Sequence, residues 1–448
     1  MTDPTTTPVY RERLTTLRNA FPAPVSDQMH DAYFVFSIMR ALDQVDAMKS
    51  EVPMLGHSQA LDYAAAEQAE LGEDTRTVEE VSRLLVDKLE GMPIWGHPQT
   101  QINVVPPPSI PSIIGSLLPA IYNPNLVSDD TSYGLALTEA SVAAMTARLV
   151  GYDAATSAGV FTFGGTGTTM YGVKLGIEKA FPEAMHEGIH GEGIILASAQ
   201  SHYCRLNVAG WLGLGEKNVV AVPTHQENDI RIDDLEVAAR AAIEANQRIV
   251  TFVATMGTTD AFGVDDLESI VHLRDRLVEE YSLDYAPHVH ADAVIGWAWS
   301  VFNDYDFEQN ALEFRPRTVR ALAAAYRRIS KLSLADSIGI DFHKTGFSHR
   351  ISRACSSPAV AKTWSAWFAD ARRCRICSRA ENDTPACIPS RHRGAGAACW
   401  RPTPTCNCSA RRACAHCSVT WWKWRSRYVS TWKVTHRRPC STPTTWAP

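Results

Sequence analysis

Cysteine is almost missing from the first 350 residues of this 448-residue chain, where Cys204 stands alone. A disulfide framework is thereby excluded for that stretch. Long apolar runs are missing as well. The richest, SIIGSLLPAIY, is too short and too close to proline to span a bilayer. The opening MTDPTTTPVYRERL lacks the apolar segment of a secretory signal. These absences lead us to expect a soluble, cytoplasmic protein with no membrane partner. A different shortage marks the end of the chain. Residues 351–448 contain no Leu, no Met and only seven Ile or Val, yet they hold ten of the eleven Cys and eight of the twelve Trp. Aliphatic core material is absent there, and no helical or strand period is sustained.

Charge divides the chain at the same place. Residues 351–448 carry 17 Lys+Arg against 3 Asp+Glu, and the preceding residues carry 26 against 46. The overall net charge of −6 therefore says nothing about partners. In the basic part, CRIC (Cys374, Cys377) and CAHC (Cys414, Cys417) have the spacing of a zinc site. Their separation is wide, and no turn or strand signals surround them. Composition and lost periodicity together favour a coding sequence read out of frame, with no bound metal and no nucleic-acid partner; zinc and basic-tail binding remain as alternatives.

The expected organisation has three parts: an N-terminal helical segment over 1–105, an α/β domain over 106–350, and the Arg/Cys/Trp-rich tail over 351–448. In the first part, TRTVEEVSRLLVDKLEG predicts a helix presenting Val78, Val81, Leu84, Leu85 and Leu89, stopped near Gly91. VVPPPSIPS, 104–112, reads as a rigid extended link. A further helix around GLALTEASVAAMTARLVG closes on Gly151. From Gly159 onward GIILAS, NVVAVP, IVTFVAT, HVHADA and DSIGID read as buried strands. They alternate with amphipathic helices, DDLEVAARAAIEAN, with an Asp233–Glu236 start signal, and DDLESIVHLRDRLVEEY. That alternation predicts a mainly parallel sheet sandwiched by helices, with ligands gathering at the carboxyl ends of the strands.

The residues trailing those strands are Ser198 and His202, Thr258 and Thr259, Asp292, and His343 and Lys344. Upstream, FTFGGTGTTMYGVKLG places a glycine-rich turn at a helix start, where free N–H groups can cradle a phosphate. Taken singly, each has an ordinary explanation. The turn can be only a turn, the lysine a solvated charge, His202 a packing residue, and Cys204 a small buried filler. An Asp in an apolar strand is less ordinary, because a buried carboxylate needs a partner. Pyridoxal 5′-phosphate accounts for all of them together: a lysine for its aldehyde, a carboxylate for its ring nitrogen, a stacking partner for its ring and an amide-rich turn for its phosphate.

In their fixed order, GHPQTQINVVPPPSIPS, GGTGTT, SHYCRLNVAGWLGLG, ATMGTTDAFGVDD, HADAVIGWAW and ADSIGIDFHKTGF make residues 96–347 resemble the group II pyridoxal-phosphate-dependent amino-acid decarboxylases, of the aspartate-aminotransferase fold type. The resemblance implies that Lys344 binds the cofactor covalently, with His343 beside it. It implies Asp292 at the pyridine nitrogen, His202 stacked on the ring, Thr258 beside the ring, and Gly165 and Thr166 at the phosphate. More loosely it puts His97 and Gln99 near substrate. A homodimer and a small amino-acid substrate are implied too. The 52-residue interval from Asp292 to Lys344 is similar to that of bacterial tyrosine decarboxylases; glutamate or aspartate is the neighbouring choice. Cys204, Asn207 and Val294 depart from the family pattern, and nothing after Phe347 resembles it. Two rivals stand beside this reading: a carbon–carbon lyase similar to sphingosine-phosphate lyase, and an inactive, truncated product.

Overall fold

A computed structural model describes residues 15, 20–58, 60–72, 75–100, 104–125, 129–348 and 352–356. The zinc-like cysteines lie outside them. The chain forms two compact units, Met1–Pro107 and Pro108–Pro448.

In the first unit, helices Gln28–Ala47 and Val78–Asp87 pack together and share an Arg40–Glu79 ion pair of 2.9 Å. Thr77 and Glu80 form a reciprocal capping box that satisfies two amides of the first turn. The helix ends at Asp87, with Gly91 at a φ of +80° three residues beyond its cap. Its apolar face is only partly used: Val86 is buried, whereas Val81, Leu84 and Leu85 are exposed.

The second unit is built on one seven-stranded sheet. Its strands are β1 (Ala158–Thr162), β2 (Gly193–Ser198), β3 (Val219–Val222), β4 (Arg248–Thr255), β5 (His288–Asp292), β6 (Ser337–Asp341) and β7 (Ser352–Ser356). They lie in the order β1-β7-β6-β5-β4-β2-β3. β2 to β6 pair in parallel, and β7 runs antiparallel between β1 and β6. The expected mainly parallel α/β architecture is therefore what the chain adopts. β7 lies past the boundary that composition suggested at residue 350.

The sheet's two faces differ. One carries Ile194, Leu196, Phe252, Val289, Ala291, Ile338 and Ile340, all at most 2% exposed, beneath helices Ile232–Glu244 and Leu267–Glu280. The latter helix buries Leu267, Ile270, Val271 and Leu277 as its spacing predicts. The former starts at Ile232 with no side-chain cap, so the expected Asp233–Glu236 start signal is not made. Glu236 instead pairs with Arg240 and Arg276, since a charge pair four residues along the helix competes for the same carboxylate. The extended link also ends early, because Ile110–Tyr122 is already helical, with proline in its first turn, where a missing N–H costs nothing.

The opposite face lies under helix Gly165–Ala180; beside a second apolar cluster that includes Val173, Ile177, Ile195, Ala197 and Val253, it carries a run of polar residues across β4, β5 and β6. Thr251 stands beside His288, and His290 beside Ser337. The helix comes close because its inner side is glycine. A Cβ on Gly172 would fall 2.3 Å from the His290 ring, and one on Gly176 would fall 2.2 Å from the Thr251 hydroxyl. Interior helical glycines give up roughly 1 kcal/mol each in propensity. This helix therefore owes its place to packing on the sheet. Ser337 Oγ bridges His288 Nε2 (2.7 Å) and His290 Nδ1 (2.8 Å), and Asp336, held by Lys179 and Arg274, closes the series at the sheet's far end. His290 Nε2 and Thr251 Oγ1 have no hydrogen-bond partner among the described residues.

Candidate active site

At the carboxyl ends of these strands lies a cleft of about 230 Å³. Gly165, Thr166, His202, Thr258, Asp292, His343 and Lys344 all line it, although they span 180 positions of sequence. The parallel register brings them together. Thr255 at the end of β4 stands beside Asp292 at the end of β5, and Asp292 stands beside Gly339 near the end of β6. Thr259 also lines the cleft, but Ser198 does not; its hydroxyl accepts from the Gln200 N–H at 3.0 Å. His97 and Gln99 belong to the first unit, where the Gln99 N–H donates to His97 Nδ1 at 3.2 Å.

The glycine turn enters helix Gly165–Ala180 through Gly164, whose φ of +127° and ψ of 177° suit glycine alone. The first amides of the helix, at Gly165 and Thr166, have no carbonyl one turn back to receive them, so they and the helix dipole favour an anion. Glycine at 165 also leaves room for Val294, whose methyls would lie 3.1–3.2 Å from a Cβ there.

Lys344 is set by a tightly held turn. Asp341 ends β6 and accepts the His343 N–H at 2.9 Å, while its carbonyl accepts from the Trp297 indole at 3.1 Å. Thr345 donates to the Ile295 carbonyl at 3.0 Å. Two other lysines of this unit are engaged elsewhere: Lys174 with Glu178 at 2.7 Å and Lys331 with Glu268 at 3.1 Å.

Asp292 is 8% exposed, and burial pushes its carboxyl above the usual range against the pull of Lys344 and His202. Its hydrogen bond from the Val294 N–H is long, at 3.3 Å. A cationic N–H opposite it would supply what the carboxylate lacks. Burial holds His202 below its ordinary value, which favours the neutral form of its ring, against the pull of Asp292. Its Nδ1 accepts the Cys204 N–H at 3.1 Å, which leaves the ring proton on Nε2. One face of the ring is stacked on Tyr203, with centroids 4.2 Å apart. Cys204 is buried, and burial pushes its thiol up to about 11, so it is a filler and no nucleophile. Thr258 closes its own loop by accepting the Gly263 N–H at 2.8 Å, which leaves its O–H free to donate.

Sequence reasoning passed over Thr255, Tyr203, Asp341 and the aromatic Phe163, which also line the cleft. Thr255 and Asp341 had a readable signal: each is the last polar residue of a strand whose neighbours were already candidates. The exposed Phe163 and Tyr203 had none. An amide-rich turn, a buried carboxylate short of a partner, a neutral ring and a lysine together fit pyridoxal 5′-phosphate. Gly165 and Thr166 would hold its phosphate, and Asp292 its ring nitrogen.

The comparisons with known proteins agree. Residues 57–302 match the pyridoxal-dependent decarboxylase conserved domain, and the chain belongs to that family. It is similar to the L-2,4-diaminobutyrate decarboxylase of Acinetobacter baumannii, at 28% identity over 56% of this chain and 46% of that one. It is also similar to the L-tyrosine decarboxylase of Enterococcus faecalis, at 28% identity over 38% of this chain and 29% of that one. The chain thus spans less than half the length of either relative. Among solved structures, the glutamate decarboxylase domain of a diaminobutyrate-pyruvate transaminase and L-2,4-diaminobutyrate decarboxylase from Vibrio parahaemolyticus matches with a TM-score of 0.61. That match has 19% identity and covers 78% of this chain and 71% of that one. At this identity the likeness is one of fold.

Proposed function

We propose that this chain carries out pyridoxal-phosphate-dependent decarboxylation of an L-amino acid, giving the amine and carbon dioxide. The observation that carries the reading is the convergence of seven distant residues on one cleft. When bound, the cofactor supplies an electron sink for the pair released as the carboxylate leaves. The protein's part is to bind, orient and hold protons. Lys344 would anchor the cofactor through Nζ. Asp292 keeps a proton on the ring nitrogen, and because its carboxylate is buried, that interaction strengthens as charge develops. His202, neutral and backed by Tyr203, supplies a flat surface for the ring. The helix start at Gly165 and Thr166 fixes the phosphate, and His343 stands beside the anchor.

For substrate, we favour an aromatic amino acid. Phe163 and Tyr203 line the cleft while remaining 62% and 69% exposed, an arrangement suited to an aromatic side chain. The two relatives above share 28% identity with this chain yet act on different substrates, so identity does not decide the matter. A homodimer in the cytoplasm completes the proposal. Helix Ile110–Tyr122 leaves Ile110, Ile113, Ile114, Leu117, Leu118 and Tyr122 exposed, a contiguous apolar surface that a second copy would cover. No helix among the described residues is long and apolar enough to cross a membrane. A test is carbon dioxide release from L-tyrosine, L-glutamate, L-aspartate and L-2,4-diaminobutyrate, with and without added cofactor. Cofactor-dependent release, greatest with tyrosine, is expected. Release from none of them would overturn the proposal.

A further inference from the structure

Asp265 lies outside the cleft and is fully buried. Its Oδ1 accepts the Ile230 N–H and its Oδ2 the Thr255 N–H, each at 2.7 Å. Its own N–H donates to the Thr255 carbonyl at 3.0 Å. One residue thus takes both backbone groups of the residue that ends β4, at the point where the sheet stops supplying partners. The hold extends further. The Thr255 hydroxyl meets Ser201 Oγ at 2.6 Å in a buried contact, and Ser201 immediately precedes His202. The carbonyls of Ser201 and His202 both accept from the Arg205 guanidinium. On its other side Asp265 closes the base of the loop from Met256 to Val264, whose ends form a bridge and whose interior is held by Thr258 and Gly263.

We infer that Asp265 is a positioning residue for the cleft, fixing Thr258 through its loop and His202 through Thr255 and Ser201. A carboxylate suits this place because a single side chain must accept two N–H groups in different directions. An amide can accept one of them, but its NH₂ would face the other donor. A methyl group accepts neither, and two buried donors are then left without partners. The inference deepens the functional reading above and rests on it for the identity of the ligand.

The test compares the full chain with its Asp265→Asn and Asp265→Ala variants, and with Asp336→Asn, a change of a half-buried carboxylate at the opposite end of the sheet. Hydrogen exchange is followed by mass spectrometry without cofactor, and pyridoxal 5′-phosphate binding is followed by fluorescence titration. Asp265→Ala should speed exchange in the peptides holding Thr255–Val264 and Ser201–Cys204 by about tenfold and weaken cofactor binding by a similar factor, as loss of two buried acceptors requires. Asp265→Asn should fall between, and Asp336→Asn should leave both segments unchanged. Unaltered exchange in those segments in Asp265→Ala, or equal loosening of them in Asp336→Asn, would overturn the inference. If Asp265→Ala does not fold, Asp265→Asn decides it by the same readings. Failure of the unaltered chain to take up cofactor would count against the functional reading, while the exchange pattern would still settle the role of Asp265.

Discussion

The two faces of the central sheet are made from the same strands by different chemistry. One is sealed with Ile, Leu, Val and Phe side chains at most 2% exposed. The other holds Thr251, His288, His290 and Ser337 under a glycine-lined helix, with three polar atoms lacking a hydrogen-bond partner among the described residues. Burying polar groups stabilises little and costs much when partners are missing. The apolar face, together with the second apolar cluster of Val173, Ile177, Ile195, Ala197 and Val253, therefore carries the fold. The polar face ends in Thr255, Asp292 and Asp341, and hands three strand termini to the cleft. Along β5 and β6 the two chemistries alternate residue by residue, with apolar side chains toward one side of the sheet and the polar ones that lead to the cleft toward the other.

Changes on the two faces should separate those properties. Phe252→Ala removes a ring that is 1% exposed and should cost about 3–5 kcal/mol of stability, read by denaturant unfolding. Cofactor binding should persist in whatever fraction stays folded. Asp292→Asn should do the reverse. An amide cannot hold the ring nitrogen protonated, so kcat should fall about a hundred- to a thousandfold, by analogy with the loss of one preorganised electrostatic group. Stability without cofactor should be kept or raised, since burial disfavours the carboxylate. Equal turnover in the two proteins would dissolve the distinction between the faces. Gly172→Ala should cost roughly 1–3 kcal/mol, because its methyl meets the His290 ring. A neutral result would mean that the helix is not tightly seated.

The smallest effect concerns pH. Burial pushes Asp265 up to about 7, against two backbone N–H donors, with Asp229 raising it further and Arg328 lowering it. A carboxyl with a raised folded value binds its proton more tightly folded than unfolded. Its contribution to stability is therefore complete below the ordinary carboxylate range and declines as pH rises toward about 7. Unfolding free energies between pH 4.5 and 8 should show that decline. Asp265→Asn should flatten it even though it lowers stability overall; an unchanged slope would assign the pH dependence to other groups.

Much of this arrangement was legible in the sequence, because β2 to β6 are short apolar runs bounded by turns and their trailing residues are polar. β1, Ala158–Thr162, was absorbed into the glycine turn that follows it. β7, Ser352–Ser356, offers no apolar pattern, and its register comes from two antiparallel neighbours that only the folded sheet supplies. The site residues on strand ends could be read for the same reason as the strands. Asp265 could not be read as a clamp, since its partners are backbone amides 10 and 35 positions away. Nor could the exposure of Val81, Leu84 and Leu85 be foreseen, because helical spacing tells which residues share a face and leaves open what covers it.

The central claim is that the end of β6 delivers Lys344 to a cofactor site built on the polar face. Borohydride reduction of the full chain in the presence of pyridoxal 5′-phosphate, followed by peptide mapping, tests it most directly. The account predicts a pyridoxyl group on Lys344, lost in Lys344→Ala and much reduced when Gly165 is changed to a bulky residue. Labelling of Lys174 or Lys331 instead, or none above background at Lys344, would contradict it.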